Sequence, residues 1–251
     1  MSAVRPSHLI DASHLHYSQL NQQLRVLIEG GAQQVELRAV CGQRYLGTGL
    51  HQPVEIAVHG TPGNDLAAFM DGPHITVHGN AQDGCGNTMN GGEIVVHGRA
   101  GDVVGHSMRG GTIWIRGNVG YRVGIHMKEY TGMRPTIVIG GTAQHFLGEY
   151  MAGGILVVLG LDLEPGQAHA TQYVGTGMHG GTIYMRGDIA DSQLGREVGK
   201  APLLDHDHQL LNALLSGFGD RFGYDLHSLR SDTFIKLVPV SLRPYGRLYA
   251  Y

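Results

Sequence analysis

The chain has few of the residues that metal and redox sites need, with only two cysteines among 251 residues. Cys41 and Cys85 lie 44 residues apart, and two thiolates alone cannot ligate an iron–sulfur cluster or form a disulfide framework. No Cys-x-x-Cys, His-Glu-x-x-His or GxxxxGK[ST] motif occurs. We therefore expect no catalytic, cofactor-binding or metal-binding residue in this chain, and we expect the chain to be inactive by itself.

Long apolar runs and basic blocks are also missing. No stretch of 18 apolar residues could span a membrane, and the N-terminus has no signal-peptide pattern. The net charge is −3 and the isoelectric point about 6.6, without a lysine- or arginine-rich run that would indicate nucleic acid. These absences predict a cytoplasmic, soluble and reduced protein that binds neither membranes nor nucleic acids.

What the chain has in excess is glycine, 40 residues of it, arranged with a period. Short runs rich in isoleucine and valine each end in glycine, mostly 19 residues apart, with longer intervals of 24 and 27 residues. A fixed period of this length with β-branched cores predicts a right-handed parallel β-helix of about seven coils, hence an all-β fold with short flanking helices as caps. The closing glycines are Gly60, Gly79, Gly98, Gly117, Gly141, Gly160 and Gly187.

A methionine follows each of the first five closing glycines by ten residues, and Met178 joins this column when it is aligned on the Gly-Gly that follows; three residues before each methionine stands a glycine, with Ala67 in the first coil. We interpret them as part of a second strand, in which methionine fills the core and glycine permits a tight bend or a close backbone approach. The predicted core ladder is Met70, Met89, Met108, Met127, Met151 and Met178. The predicted structural glycines are Gly86, Gly105, Gly124, Gly148 and Gly175.

The flanks divide the chain into three parts. Residues 1–50 are expected to form an N-terminal cap with one helix over 18–29, and residues 51–190 the β-helix. Residues 191–251 are expected to form a helix over 205–216 and an extended tail that lies along the rod or on a partner. A β-solenoid needs closed ends, because the last coil would otherwise expose its core and an unpaired edge.

One outward column of the strands is apolar, which indicates that it is covered by the chain's own tails or by another subunit. Two loops nearby add aromatic and charged residues, so we predict a surface for docking, with self-association as one possibility. The candidate interface residues are Trp114, Tyr121, Arg122, His126, Lys128, Glu129, Tyr130, Glu149, Tyr150 and Tyr184.

The histidines offer a rival interpretation, a self-contained enzyme or metal-binding protein that uses them. His59, His78 and His97 recur every 19 residues, so their side chains are expected to stack about 5 Å apart. A straight row of imidazoles suits tetrahedral zinc poorly. A solvated or interfacial ladder is the simpler prediction.

The repeats resemble the C-terminal GXGXG domain of the glutamate synthase large subunit, in the stand-alone form found where that subunit is split. One of the subunits of formylmethanofuran dehydrogenase has a similar coil. The resemblance covers roughly residues 35–200. The matching segments are Gly60-Thr-Pro-Gly-Asn-Asp65, Gly79-Asn-Ala-Gln-Asp-Gly84, Gly86-Asn-Thr-Met89, Gly117-Asn-Val-Gly-Tyr-Arg122, Gly124-Ile-His-Met-Lys-Glu129 and Gly148-Glu-Tyr-Met-Ala-Gly-Gly154.

This resemblance implies a scaffold subunit of a glutamate-synthase-type complex in nitrogen metabolism. Its implied partners are a class-II glutamine amidotransferase subunit and a synthase subunit that carries FMN and an iron–sulfur cluster. The complex would move nitrogen from glutamine, or from an amine, to a 2-oxo acid. The alternative is a scaffold with the same coil in a formylmethanofuran dehydrogenase or a formyltransferase/hydrolase complex.

Overall fold

The computed structural model describes residues 8–164, 166–225, 229 and 234–240. It is a β-solenoid of about six turns, close to the seven coils predicted, and it has two α-helices and one short 3-10 helix (Asp191–Gln193) among these residues. The elements, in chain order, are β1 (His8–Asp11), α1 (Tyr17–Glu29), β2 (Gln34–Cys41), β3 (Glu55–Thr61), β4 (His74–Val77), β5 (Glu93–Val96), β6 (Thr112–Ile115), β7 (Thr136–Ile139), β8 (Ala152–Val158), β9 (Gly180–Arg186), β10 (Val198–Ala201), α2 (Asp205–Phe222) and β11 (Phe234–Pro239).

The strands form one 11-stranded sheet in which β1 to β9 are parallel and follow one another in chain order. The periodic sequence determines the register, since each isoleucine of one coil lies beside the equivalent residue of the next. In this way Ile75 pairs with Ile94, and Ile94 with Ile113. These side chains point into the solenoid and are no more than 1% exposed, so stacking of coils buries the apolar column.

The methionine column lies in the core, but it does not belong to a second strand. All six methionines are at most 1% exposed. The residues that precede them form consecutive turns rather than a strand. The physical reason is that every second backbone residue there has positive φ, which prevents an extended conformation.

The two ends of the solenoid are closed differently. Helix α1 covers the N-terminal end, where Leu20, Leu24 and Ile28 recur at helical spacing and join the main core. At the other end, β11 lies antiparallel between β9 and β10. Helix α2 is no end cap, in contrast to the prediction, because it packs along the outer face of the sheet. The tail beyond residue 240, predicted to be extended, lies outside the described residues.

Helix α2 covers the apolar outward column, and this corrects the expected role of two residues. Trp114 and Tyr184 are only 5% and 2% exposed, and they form a second core with Leu215 and Phe218 of α2. The apolar column therefore packs against the chain's own helix, and neither residue lies on a docking surface.

Polar contacts hold both ends of α2 on the sheet. Near its C-terminal end, Glu93 accepts hydrogen bonds from the Trp114 indole at 2.9 Å and from Arg221 at 2.5 Å. At its N-terminal end, Asp207 accepts hydrogen bonds from Lys236 at 2.7 Å and from the Tyr184 hydroxyl at 2.5 Å. Burial of Asp207 would raise its pKa, but the bonds from Lys236 and Tyr184 outweigh burial and lower the pKa to about 2.

Candidate functional site

A five-residue turn recurs seven times along the chain, and its first, third and fifth residues have positive φ. In the turn Arg122–His126, for example, φ is 58° at Arg122, 72° at Gly124 and 55° at His126. The other turns, with the same alternation, cover residues 45–49, 65–69, 84–88, 103–107, 146–150 and 173–177.

Hydrogen bonds between coils explain why the turns stack. The amide of the first residue donates to the next coil, as Arg122 does to His145 O at 3.0 Å. The amide of the third residue donates to the preceding coil, as Gly124 does to Val104 O at 2.8 Å. Each turn is therefore bonded on both sides, although it is not a β-strand.

The predicted structural glycines occupy the third position of the turn. At Gly105, where φ is 66°, an added Cβ would lie 2.4 Å from Ile137 Cδ1 of the core. The side chain at the second position points inward and is buried in all seven turns. Glycine is used at the third position because the backbone there presses against the apolar strand column. Ala67 occupies the equivalent position in the 65–69 turn.

The first and fifth positions are different, since in six of the seven turns they are exposed or half-buried, and several carry large side chains. A left-handed conformation costs a non-glycine residue about 1–2 kcal/mol. Large residues nevertheless stand there in three successive turns at the C-terminal half of the solenoid: Arg122, His126, Phe146, Tyr150 and Tyr173. Backbone strain kept at an exposed site is a reason to look for a function there.

Side chains of these turns stack from one coil to the next. The Phe146 and Tyr173 rings lie 4.9 Å apart, and the Arg122 guanidinium lies 4.8 Å from the Phe146 ring. At the fifth position of the turns, the rings of His126 and Tyr150 stack with their centroids 5.3 Å apart. We call this surface the aromatic ledge and define it by Tyr121, Arg122, His126, Phe146, Tyr150 and Tyr173.

The aromatic ledge is open to solvent. Tyr121, Tyr150 and Tyr173 are 43%, 47% and 55% exposed. Glu149 lies beneath it, 7% exposed, and accepts a 2.5 Å hydrogen bond from Arg122. Of the predicted interface residues, the ledge thus brings together Tyr121, Arg122, His126, Glu149 and Tyr150. Aromatic rings with polar tips are typical of protein–protein contact surfaces.

A corner patch adjoins the ledge, and it contains the remaining predicted interface residues. We define it by Arg109, Lys128, Glu129, Tyr130 and Arg134. The amide of Lys128 donates to Met108 O, the residue before Arg109, so these two cations occupy equivalent positions in adjacent coils. Glu129 pairs with Arg134 at 3.1 Å, and Tyr130 is 52% exposed.

Phe146 and Tyr173 were not among the candidate interface residues, although Phe146 begins one of the two loops that the sequence predicts to add aromatic residues to the docking surface. Their signal was present, because bulky residues occupy turn positions where glycine stands in other coils: Gly49 and Gly84, for example, need no strain to adopt positive φ. The sequence alone indicated only one left-handed position in each turn, whereas the structure has three, at the first, third and fifth residues.

The histidine ladder exists, but its geometry does not converge on a metal. The rings of His59 and His78 stack at 4.6 Å, and those of His78 and His97 at 5.1 Å, with interplanar angles of 16° and 19°. Within the described ranges, no group of three or more His, Cys, Asp or Glu residues is arranged to hold a metal ion. The buried Cys85 thiol is also a poor ligand, since burial raises its pKa to about 12.

The ladder does predict a pH dependence of stability. Partial burial lowers the pKa of His78 and His97, and the neighbouring imidazole of the stack lowers each further. A histidine whose pKa is lower in the folded state binds protons better when unfolded, so stability falls as pH drops below the ordinary value of 6.5. We expect a lower melting temperature at about pH 5.5 than at about pH 7.5.

His78→Gln is the matched variant for this measurement. Glutamine cannot be protonated in this range, so the difference between the two melting temperatures should shrink. An equal difference in the wild type and in His78→Gln would contradict this account of the ladder.

The chain folds as a β-solenoid with an exposed ledge of aromatic and cationic side chains, several of them at left-handed backbone positions. The chain belongs to the GXGXG family: a family model described as "GXGXG motif" matches residues 31–228. This confirms the resemblance at the level of the family.

Two known proteins are similar over almost the whole chain. An uncharacterized protein, MJ1350 of Methanocaldococcus jannaschii, is 41% identical over 249 residues, which is 96% of this chain and 95% of that protein. A chain of the formyltransferase/hydrolase complex (FhcABCD) from Methylorubrum extorquens, crystallised with methylofuran, has the same fold with a TM-score of 0.63 and 20% identity. The match covers 96% of this chain and 98% of that chain.

No helix among the described residues combines the length and apolar character needed to cross a membrane.

Proposed function

We propose that this protein is a non-catalytic scaffold subunit of a multi-subunit complex, and that the aromatic ledge is where a partner subunit docks. The observation that carries the proposal is the ledge itself: large aromatic and cationic side chains held exposed, at the cost of backbone strain. Intramolecular stacking returns about 0.5–1.5 kcal/mol for each aromatic pair, which offsets only part of that strain. A partner that covers the rings would add the burial of their exposed apolar surface.

The complex we propose is of the glutamate synthase type. In it, this chain would hold a class-II glutamine amidotransferase subunit and a synthase subunit with FMN and an iron–sulfur cluster. The role of the chain is positional: a rigid rod of stacked coils fixes two active sites at a constant separation, so that a reactive intermediate can pass between them. Membership of the GXGXG family supports this assignment.

The formyltransferase/hydrolase complex supplies a second candidate. The fold of this chain is shared with a chain of that assembly along nearly the full length of both chains. In this alternative the protein is a scaffold for formyl-group transfer. Both candidates place the protein in a complex, and they differ in the chemistry of the partner subunits.

The test is to isolate the tagged full-length chain from its own cells and to record the partner chains and the visible spectrum. Flavin and iron–sulfur absorbance together with a glutaminase chain would support the glutamate-synthase type. A colourless assembly of formyl-transferring chains would support the alternative. A lone chain would refute both.

Substitution of a ledge tyrosine provides the structural control. Tyr173→Ala should weaken assembly at least about tenfold, which corresponds to an interface anchor worth about 1.4 kcal/mol or more. Tyr45→Ala is the matched variant, because Tyr45 also stands at the first position of a turn, with φ 63° against 60° for Tyr173. Because Tyr45 lies several coils away from the ledge, Tyr45→Ala should leave assembly with the partner unchanged. Equal behaviour of the two variants would show that the ledge is not the docking surface.

A further inference from the structure

The charge of the chain is distributed unevenly. Residues 99–150 contain six arginine or lysine residues and three aspartate or glutamate residues, a net charge of +3. The whole chain carries −3, so the remaining residues carry −6. The coils that bear most of the aromatic ledge and the corner patch are therefore net positive, whereas the segments on either side, residues 51–98 and 151–225, each carry a net charge of −5.

The positive charge is concentrated beside the ledge. Arg109 and Lys128 are exposed and occupy equivalent positions in adjacent coils, about 5 Å apart along the solenoid. They lie two residues after Ser107 and His126, the fifth residues of their turns, so this column of cations runs along the edge of the ledge. Arg134 adds a third cation, which Glu129 partly neutralises at 3.1 Å.

We infer, on the basis of the proposed docking function, that the ledge and the corner patch together bind an acidic segment of the partner subunit. Guanidinium groups bind carboxylates in paired, charge-assisted hydrogen bonds, and tyrosine hydroxyls can donate to the same acceptors. The rings of Tyr121, Tyr150 and Tyr173 provide apolar contact area between these polar groups. The complementary ligand is a peptide that carries several carboxylates interspersed with apolar or aromatic side chains.

Nucleic acid fits this surface less well. Glu129 and Glu149 interrupt the positive charge, and the patch has no continuous basic stripe that could follow a phosphate backbone. The chain as a whole is acidic, with an isoelectric point of about 6.6, whereas nucleic-acid-binding domains are usually basic. An acidic protein segment needs only the few local cations that are present.

The binding experiment uses the full chain and a fluorescent random copolymer of glutamate and tyrosine, with oligothymidine and a lysine–tyrosine copolymer as comparison probes. We expect the glutamate–tyrosine copolymer to bind, and to bind at least about fivefold more weakly when sodium chloride rises from about 50 to about 500 mM. No binding at low salt, or equally tight binding of oligothymidine, would overturn the proposal, and the second result would point to nucleic acid.

Arg109→Glu is the decisive variant, and Arg99→Glu is its matched control. Both arginines are exposed, lie in the same coil on opposite sides of the five-residue turn, and change the net charge equally. Arg109→Glu should weaken copolymer binding at least about fivefold, whereas Arg99→Glu should leave it within about twofold. If both variants lost copolymer binding equally, the copolymer would be attracted by the overall charge of the chain alone. This result would overturn the proposed binding site. Lys128→Glu is a second variant of the same patch and is expected to weaken binding as Arg109→Glu does. Circular dichroism checks that each variant folds.

The same variants separate this inference from the proposed function when they are expressed in the source cells. Loss of the partner subunit with Arg109→Glu, but not with Arg99→Glu, supports an acidic docking segment. An assembly that forms normally with Arg109→Glu leaves the scaffold function intact and overturns the acidic segment. A lone wild-type chain refutes the proposed function itself. If the chain instead forms dimers that Arg109→Glu abolishes, the occupant is a second copy, and the proposal of a distinct partner fails.

Discussion

Gly105→Val is expected to lower the free energy of unfolding by about 3–5 kcal/mol, the sum of a strained backbone and an overpacked core. Valine would have to adopt φ near 66°, which its branched Cβ makes unfavourable. Its Cβ would also meet Ile137 Cδ1 at 2.4 Å, inside a core where neither coil can move without disturbing the next. Thermal unfolding followed by circular dichroism should show a melting temperature lower by about 10 °C.

Gly132→Val is the matched control, since it separates the two costs. Gly132 also has a left-handed backbone, with φ of 79°, but an added Cβ there would have no atom within 4 Å. This variant should lose only the conformational part, about 1–2 kcal/mol. If Gly105→Val were no worse than Gly132→Val, the role of the glycine column in packing would be refuted, and only its backbone role would remain.

Phe218→Ala is expected to cost about 3–5 kcal/mol and to loosen helix α2 from the sheet. Phe218 is fully buried in the second core, with Trp114 and Leu215 around it. Trp114 is the single tryptophan of the chain, so its fluorescence reports directly on the packing of α2. We expect a red shift of its emission, because a loosened helix admits water to the indole.

Phe69→Ala serves as the control for the same chemical change. Phe69 is 53% exposed, at the fifth position of the 65–69 turn, and removal of an exposed ring should change stability by no more than about 0.5 kcal/mol. Its emission spectrum should match that of the wild type. An unshifted spectrum and an unchanged melting temperature in Phe218→Ala would contradict the structural role assigned to α2.

The covering of the apolar column by α2 has a consequence for how partners can bind. The outer face of β5 to β9 is already occupied, and Glu93–Arg221 and Asp207–Lys236 hold the helix at its two ends. A partner that docks on the C-terminal half of the solenoid is therefore directed to the turn face, where the aromatic ledge is open.

The sequence alone determined the β-solenoid, its register and its core, because these depend on local repetition. Each coil contributes an isoleucine, valine or leucine to the same column, and this column can be buried only when equivalent residues stack. The period therefore dictates that Ile94 lies between Ile75 and Ile113. Helix α1 could also be predicted from the sequence, because Leu20, Leu24 and Ile28 follow the helical period and a pair of glycines, Gly30 and Gly31, ends the helix.

Only the tertiary structure decided what covers the apolar column and which residues are left exposed. Nothing local in the sequence links Trp114 to Phe218, which is 104 residues away, so the column could equally have faced a partner. Likewise, the alternation of backbone handedness in the turns follows from hydrogen bonds to the coils before and after, as at Arg122 and Gly124, which exist only once the coils have stacked. These contacts between distant residues decide that Trp114 is core and that Tyr173 is surface.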